Sequence, residues 1–316
     1  MPSAPTTADL QEARSRIAGK VHRTPLMASA ALSDAAGATV LLKCENLQRA
    51  GAFKARGATN AVFALTDAEA ARGVCTHSSG NHGQALALAA RTRGIPCSVV
   101  MPDDAPAVKR AAVLGYGADV VPCAPTLAAR ESTLAEVAER TGATFVHPYE
   151  DPRVIAGQAT AAAEVLDEAD VDLILTPVGG GGLFAGTSLA CRAFAPRVEV
   201  LGAEPAAVDD AARSLASGER AEAPAGITVA DGLRTRLGAL PFAILRDHAR
   251  TIVTVDEASI VSAMRFVWER TKLIIEPSSA VPVAAALGGA VRGRGRVAIV
   301  LSGGNVDLDH LPFGKS

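Results

Sequence analysis

Two kinds of segment alternate along this chain, and this alternation constrains the fold more than any other feature. Short apolar, β-branched runs typical of strands are followed by longer alanine-rich stretches with the apolar spacing of helices. Chains with this pattern form β-α-β units, in which parallel strands make a sheet and helices cover both of its faces. We therefore predict an α/β fold with mainly parallel, twisted sheets flanked by helices.

The clearest segments define the predicted elements. Strands are predicted at residues 39–42, 73–76, 98–101, 118–121, 171–178, 198–203 and 297–301. Helices are predicted at residues 83–93, 106–114, 127–141, 157–166, 183–194 and 256–271. The length of 316 residues is enough for about two domains. We predict a large domain made of residues 1–72 and 151–316 and a small domain made of residues 73–150.

Charge, apolar content and cysteine spacing exclude several classes of protein. The 31 basic and 33 acidic residues give a net charge of −2, which disfavours binding to nucleic acid or to an anionic membrane surface. No run approaches the roughly 18 apolar residues that a membrane span requires. The five cysteines are odd in number and lack the close pairs of a zinc ribbon or a disulfide framework. We expect a soluble, cytoplasmic protein with no nucleic-acid or membrane partner.

A run of four glycines separates the predicted strand 171–178 from the predicted helix 183–194. These residues are Gly179, Gly180, Gly181 and Gly182. Without Cβ atoms, their backbone N–H groups can close around an anion at the positive end of the helix. A plain turn rarely needs four consecutive glycines, so phosphate binding is the favoured interpretation.

The same run also fits a dinucleotide-binding pattern, which keeps an oxidoreductase open as an alternative. Gly180, Gly182 and Ala185 have the required spacing, and Glu204 follows about twenty residues later, where a ribose-binding acid would stand.

A second polar loop, residues 77–84, follows the predicted strand 73–76. It concentrates hydroxyl, amide and imidazole groups at the start of a helix, and these groups are Ser78, Ser79, Asn81 and His82. A helix cap explains one such residue but not the whole run. The loop is therefore predicted to bind a substrate carboxylate.

Two further segments carry candidate chemistry. Lys54 stands in Gly51-Ala52-Phe53-Lys54-Ala55-Arg56-Gly57, in a chain that otherwise favours arginine. Lysine can form a Schiff base, whereas arginine stays protonated and cannot, although an isolated lysine is usually a surface residue. Ser302-Gly303-Gly304-Asn305 follows the last predicted strand, at the sheet edge where α/β proteins bind ligands.

Together the four loops resemble those of the fold type II pyridoxal-phosphate (PLP) enzymes, the group with a tryptophan synthase β-like fold, and in particular the serine/threonine dehydratase and serine racemase family. The resemblance extends from about residue 22 to residue 308. It implies that the large domain binds PLP and that the small domain carries the substrate loop. It also implies a homodimer. The dinucleotide pattern gives no role to Lys54 or Ser302 and is therefore the weaker interpretation.

The resemblance assigns a role to each loop. It makes Lys54 the Schiff-base lysine and Phe53 the residue beside the cofactor ring. It makes Gly179 to Gly182 the phosphate-binding loop and Ser302 the residue facing the pyridine nitrogen. Asn81 would bond the cofactor 3-hydroxyl. The implied substrate-binding residues are Ser78, Ser79, Asn81, His82 and Arg130.

Finer matches concern a metal and the type of reaction. The resemblance implies a Mg²⁺ or Ca²⁺ site formed by the carboxylates of Glu204 and Asp210 and the carbonyl of Val208; the alternative is two exposed acids at a helix start. Ser79 resembles the acid/base that serine racemases place opposite the lysine. Tyr149 departs from the animal racemases, which have asparagine there.

The implied activity is PLP-dependent elimination of water from L-serine or L-threonine, giving a 2-oxo acid and ammonia, with racemisation of serine as a competing reaction. One alternative substrate is 3-hydroxyaspartate, whose second carboxylate Arg130 could bind.

Overall fold

Ten strands form two sheets in residues 3–105, 107–222, 226–248 and 251–313, the part of the chain that this computed structural model describes. The strands are β1 (Leu26–Ala28), β2 (Thr39–Lys43), β3 (Val74–His77), β4 (Cys97–Pro102), β5 (Asp119–Cys123), β6 (Thr144–Phe145), β7 (Leu173–Pro177), β8 (Glu199–Pro205), β9 (Ile252–Val255) and β10 (Arg296–Val300). The larger sheet has the order β1-β2-β10-β7-β8-β9, and the smaller sheet has the order β5-β4-β3-β6. All neighbouring strands are parallel except β1 and β2.

Helices surround both sheets. Within the described ranges they are α1 (Thr7–Ile17), α2 (Ala30–Ala36), α3 (Lys54–Phe63), α4 (Asp67–Arg72), α5 (Asn81–Arg93), α6 (Ala107–Gly115), α7 (Leu127–Thr141), α8 (Pro152–Glu168), α9 (Gly182–Phe194), α10 (Asp210–Ser217), α11 (Ala239–His248), α12 (Glu257–Thr271) and α13 (Pro277–Ala285). None of these helices is both long and apolar enough to cross a bilayer. The predicted α/β class with parallel sheets is therefore confirmed.

Each predicted strand and helix has a counterpart, but some boundaries differ. Helix α5 begins at Asn81 rather than at residue 83, so Asn81 and His82 belong to its first turn instead of to the loop. The predicted start of α6, residue 106, lies outside the described residues. Strands β1, β6 and β9 were not predicted, because two to four residues are too few to establish a period.

Apolar side chains fill both faces of the larger sheet. Leu175 and Ile299 belong to the core on one face, and Ile174 and Val300 belong to the core on the other. Because neighbours along a strand point to opposite faces, these continuous apolar runs are buried on both sides. A third core lies against the smaller sheet and includes residues of α3.

Helix α3 is fixed by a close crossing with α8. A Cβ atom added to Gly157 would lie 2.6 Å from the Cα atom of Gly57, so the two backbones are in direct contact. The amide of Gly57 donates a hydrogen bond to the Gln158 side chain at 3.1 Å. The crossing fixes the position of α3 against α8 close to the start of the helix at Lys54.

A buried ion network anchors the same helix. Arg56 is fully buried and donates to Glu45 at 2.7 Å and to Glu164 at 2.7 Å, while Lys43 reaches Glu164 at 2.6 Å. Two cations thus face two carboxylates, so the network is formally neutral. Removing one partner of a buried pair typically costs about 3–5 kcal/mol, because the other charge is left buried without compensation.

Candidate active site

Lys54 is the first residue of α3, and it is only partly exposed. Its Nζ donates a hydrogen bond to the carbonyl of Pro148 at 2.7 Å and lies 5.2 Å from the centre of the Phe53 ring. In the described part of the chain no carboxylate pairs with it. Burial lowers the pKa of Lys54 to about 8, which raises the neutral fraction of the amine near neutral pH. A neutral amine is the form that attacks a carbonyl carbon.

The loop after β10 lies beside the start of α3. The amide of Phe53 donates to the carbonyl of Ser302 at 2.9 Å, and Ala52 forms an isolated β-bridge with Gly303. Ser302 itself is almost fully buried. The structure therefore brings together two segments that the sequence separates by about 250 residues.

The glycine run lies between β7 and α9, packed against Tyr149. A Cβ atom on Gly180 would lie 2.5 Å from Cγ of the Tyr149 ring, and one on Gly179 would lie 2.9 Å from the Cα atom of Leu233. Gly181 has a φ of +88°, which favours glycine. Among the described residues no acceptor is bonded to the amide N–H groups of Gly179 to Gly182.

These unpaired donors fit a phosphate group. The glycine run lies at the N-terminus of α9, where free N–H groups and the helix dipole both attract an anion. The segment 148–149 links it to the lysine, because the Pro148 carbonyl accepts from Lys54 while the Tyr149 ring covers Gly180. The residues predicted to bind the aldehyde and the phosphate of PLP therefore lie next to each other.

The predicted carboxylate loop follows β3. Ser78 and Ser79 are partly exposed, and the Ser78 hydroxyl accepts from the amide of Gly80 at 3.3 Å. His77, the last residue of β3, stacks on Phe145 at 6.0 Å between ring centres. The loop thus presents its two hydroxyls at the carboxyl end of the smaller sheet.

Asn81 joins this loop to the larger sheet. Its Nδ2 donates to both carboxylate oxygens of Glu276, at 2.8 and 3.1 Å, and its Oδ1 accepts from Asn305 at 2.9 Å. Burial raises the pKa of Glu276 to about 7, against the lowering effect of the Asn81 hydrogen bonds. The assigned bond from Asn81 to the cofactor 3-hydroxyl stays a prediction.

His82 offers one unpartnered atom. Its Nε2 lies 3.0 Å from the Val146 carbonyl, which can only accept, so Nε2 carries the proton. Burial lowers the pKa of His82 to about 3, which keeps the ring neutral. The buried Nδ1 has no partner within the described residues and can accept a hydrogen bond from a ligand.

Arg130 lies in α7, near His77. Its charge adds to burial in lowering the pKa of His77, although Glu131 opposes the effect. The Nε of Arg130 is buried without a hydrogen-bond partner in the described ranges, and no carboxylate there pairs with the guanidinium. Among the described residues no hydrogen bond or ion pair joins the Arg130 side chain to another predicted site residue.

The predicted metal ligands stand at the end of β8 and the start of α10. Glu204 and Asp210 are 1% and 2% exposed, so the alternative of two exposed acids is wrong. The Glu204 oxygens accept from the amides of Ala211 and Ala212 at 3.1 and 2.9 Å, and Asp210 accepts from Leu237 at 2.8 Å. The described residues hold no cluster of three or more His, Cys, Asp or Glu side chains.

Two residues of the site were missed by the sequence analysis. Glu276 and Ser279 belong to the start of α13 and contact Asn81 and Gly303, respectively. The run Glu276-Pro277-Ser278-Ser279 could have indicated a polar helix start, since proline is common in a first turn.

The fold and this site define a PLP-dependent enzyme of fold type II. Residues 17–303 match the family model described as "Pyridoxal-phosphate dependent enzyme". The chain belongs to this family, and the predicted family and enzyme class are confirmed.

Several relatives match over nearly their whole length. The β-hydroxyaspartate dehydratase of Paracoccus denitrificans is 48% identical over 98% of this chain and 99% of that protein. The crystal structure of serine racemase from Dictyostelium discoideum is 46% identical, with a TM-score of 0.92 over 96% of this chain and 99% of that one. The crystal structure of T.th. threonine deaminase is 44% identical, also with a TM-score of 0.92, over 96% and 99% of the two chains. These relatives support PLP-dependent β-elimination of hydroxy amino acids and do not favour a dinucleotide-binding oxidoreductase.

Proposed function

We propose that this protein removes water and ammonia from L-serine or L-threonine to give a 2-oxo acid, and that it racemises serine more slowly. The observation that carries the proposal is Lys54, a partly buried amine with a lowered pKa that residues 148–149 link to a run of glycine N–H groups with no acceptor among the described residues. The names of the serine racemase and threonine deaminase relatives support the substrate class.

Each residue has a task in this reaction. PLP, when bound, supplies an electron sink for the charge that develops at the substrate Cα. The glycine N–H groups hold its phosphate, and Lys54 accepts the Cα proton on one face. Ser79 would exchange a proton on the other face. Ser78, Ser79 and the first turn of α5 bind the substrate carboxylate.

The function is tested with Lys54→Ala, using Lys20→Ala as a matched control, because Lys20 lies elsewhere on the surface against Phe63. Lys54→Ala is expected to abolish the yellow, borohydride-sensitive absorption of the holoenzyme and all formation of 2-oxo acid, while circular dichroism stays unchanged. The control is expected to keep both. A reducible cofactor bond at another lysine, with turnover retained, would refute the assignment.

A second candidate substrate is 3-hydroxyaspartate. Arg130 supports it, because this guanidinium lies near the substrate loop with a buried Nε that lacks a partner among the described residues. A charge-assisted bond to a second carboxylate contributes about 1.5–3 kcal/mol, or roughly 10- to 150-fold in affinity.

Arg130→Gln distinguishes the two candidate substrates. Arg140→Gln, on the exposed face of the same helix, is the control. If 3-hydroxyaspartate is the substrate, Arg130→Gln raises its KM by about that factor and leaves serine kinetics unchanged. An equal effect on both substrates would assign Arg130 a structural role.

We further propose a Mg²⁺ or Ca²⁺ site at Glu204, Asp210 and the Val208 carbonyl. Its support is the pair of buried carboxylates, neither of which forms a salt bridge in the described part of the chain. A cation bound only by the native state raises the melting temperature. Chelation should therefore lower the melting temperature and added Mg²⁺ or Ca²⁺ restore it, in wild type and Asp209→Asn but not in Asp210→Asn. Indifference of the wild-type protein to chelator would exclude the site.

A cytoplasmic homodimer completes the proposal. All five cysteines are free and buried, which suits a reducing compartment. Leu47 and Ile274 are 46% and 50% exposed, and the side chain of Asn46 donates to the Ile274 carbonyl at 3.0 Å, which places both apolar residues in one region. Sedimentation of the wild type and of Leu47→Glu checks whether this region forms the subunit contact.

A further inference from the structure

A cavity lies at the edge of the larger sheet that is opposite to the candidate active site. This rear cavity has a volume of about 540 Å³ and is lined by residues at the starts of β7, β8 and β9 and at the end of α9. The glycine run follows the carboxyl end of β7, whereas Leu173, the first residue of β7, lines the rear cavity. Because a strand rises about 3.3 Å per residue, the stretch from Leu173 to Gly179 separates the two places by roughly 20 Å.

The inner wall of the rear cavity is apolar. Leu173, Cys191 and Leu201 line it and are buried, and the lining residue Val253 is half-buried. A hydrocarbon group placed against this wall leaves water, which is favourable in proportion to the apolar area that is buried. The volume also falls in the range of sites that bind small molecules.

The charges around the rear cavity are paired, with one exception. The charged lining residues other than Arg192 each belong to an ion pair, and these pairs are Glu199–Arg294, Asp247–Arg246 and Arg197–Asp170. Arg192 lines the same cavity and has no carboxylate partner among the residues that the structure describes. One positive charge is therefore left over beside an apolar wall.

Arg192, in the last turn of α9, contacts an imidazole instead of a carboxylate. Its Nη1 lies 2.6 and 2.9 Å from the two ring nitrogens of His248. A guanidinium only donates hydrogen bonds, and an imidazole accepts only at a nitrogen without a proton. His248 therefore brings no negative charge to this contact. The Nε and Nη2 atoms of the exposed Arg192 have no acceptor within the described ranges, and the planar fork of a guanidinium can bind both oxygens of a carboxylate.

We propose that the rear cavity is a second ligand site, which binds a small amphipathic carboxylate. The carboxylate group pairs with Arg192, and the apolar body of the ligand lies against Leu201 and Val253. Both halves of the ligand contribute, because the wall offers no hydrogen-bond partner to a polar body and the unpaired cation selects a negative charge.

The lining itself supplies a matched control. Arg197 is also an exposed arginine of the rear cavity, but it is held in an ion pair with Asp170. Arg192→Gln and Arg197→Gln remove the same charge from the same cavity. Only the first removes the guanidinium that is free of a carboxylate partner in the described part of the chain.

The test is calorimetric titration of the holoenzyme with hexanoate, which joins a carboxylate to an apolar chain. Acetate keeps the carboxylate without the chain, and hexylamine keeps the chain with a positive charge. Hexanoate is expected to bind at a single site per chain, and the affinities of acetate and hexylamine are expected to be lower by about tenfold or more.

The variants locate this binding. Arg192→Gln is expected to weaken the binding of hexanoate by about tenfold or more, because it loses a charge-assisted hydrogen bond, whereas Arg197→Gln is expected to match the wild type. The visible absorption of the bound cofactor is expected to stay unchanged when hexanoate binds, because the rear cavity lies at the other edge of the sheet.

Each other outcome overturns the inference. Hexanoate that does not bind the wild type, or binds no more tightly than acetate or hexylamine, would refute it without any variant. Equal affinities of Arg192→Gln and the wild type, or an equal loss in Arg197→Gln, would also refute it. Hexanoate binding that changes the cofactor absorption and is lost in Ser79→Ala would belong to the substrate loop instead. The proposed function is tested separately through Lys54, so either proposal can fail without the other.

Discussion

The glycine run at 179–182 and the hydroxyl loop at 78–80 both precede a helix at the carboxyl end of a parallel sheet, yet they are held in different ways. Around the glycine run, added Cβ atoms would collide with Tyr149, Leu233 and Leu237, whereas a Cβ on Gly80 meets no atom within 4 Å. The first loop is fixed by packing. The second is fixed by hydrogen bonds, chiefly those of the neighbouring Asn81. A rigid cradle suits the permanent cofactor, and an open loop suits a substrate that enters and leaves.

The chemistry of the open loop gives the largest expected effect. Racemisation needs an acid/base on each face of Cα, so Ser79→Ala should slow conversion of L- to D-serine, and elimination from D-serine, by about 10²- to 10⁴-fold. Elimination from L-serine, which needs Lys54 alone, should fall far less. Chiral chromatography and a 2-oxo acid assay measure the three rates. Ser78→Ala, which removes a hydroxyl assigned only to carboxylate binding, should lower all three rates together. Equal losses in all three rates of Ser79→Ala would mean that Ser79 also only shapes the loop.

The packing difference is tested by placing the same methyl group in each loop. Gly180→Ala drives a Cβ into the Tyr149 ring and should weaken PLP binding about 10- to 100-fold, because overpacking costs roughly 1–3 kcal/mol. Gly80→Ala should bind PLP normally, since its φ of −122° suits any residue and its surroundings are open. Both affinities are measured by titrating the cofactor-free variants with PLP. Similar affinities for the two variants would contradict the comparison.

The features of the site that the sequence predicts well each lie within one short segment of the chain. The glycine run, the hydroxyl loop and the Lys54 segment are each contiguous, and the physical reason for each residue lies in its immediate neighbours. Ser279 and Glu276 could not be found in this way, because their partners, Gly303 and Asn81, are remote in sequence. Helix α13, which carries Ser279, also contains the internal Pro282, and proline inside a helix normally argues against one.

The last expected effect concerns the hydrogen bonds that tie the open loop to the larger sheet. The folded protein raises the pKa of Glu276 from 4.5 to about 7, so between these values the native state binds a proton that the unfolded state has lost. This contribution to stability is complete below pH 4.5 and is lost as the pH rises toward 7, by at most about 1.4 kcal/mol per pH unit.

Glu276→Gln should remove that slope from the unfolding free energy, as measured by urea denaturation at several pH values. Nearby Lys109 and Asp231 also affect Glu276, and both remain in the variant. A pH profile identical to that of the wild type would show that Glu276 is already ionised throughout this range.

The buried, formally neutral network around Arg56 determines how the anchoring of α3 responds to ionic strength. Mobile ions screen exposed charges over a distance that shrinks from about 8 Å in physiological salt to about 3 Å at 1 M. Surface pairs such as Arg213–Asp209 and Arg294–Glu199 therefore weaken as salt is added, whereas Arg56 and Glu45 lie beyond the reach of those ions. The anchor of the helix that begins at Lys54 is thus insulated from the salt content of the surrounding solution.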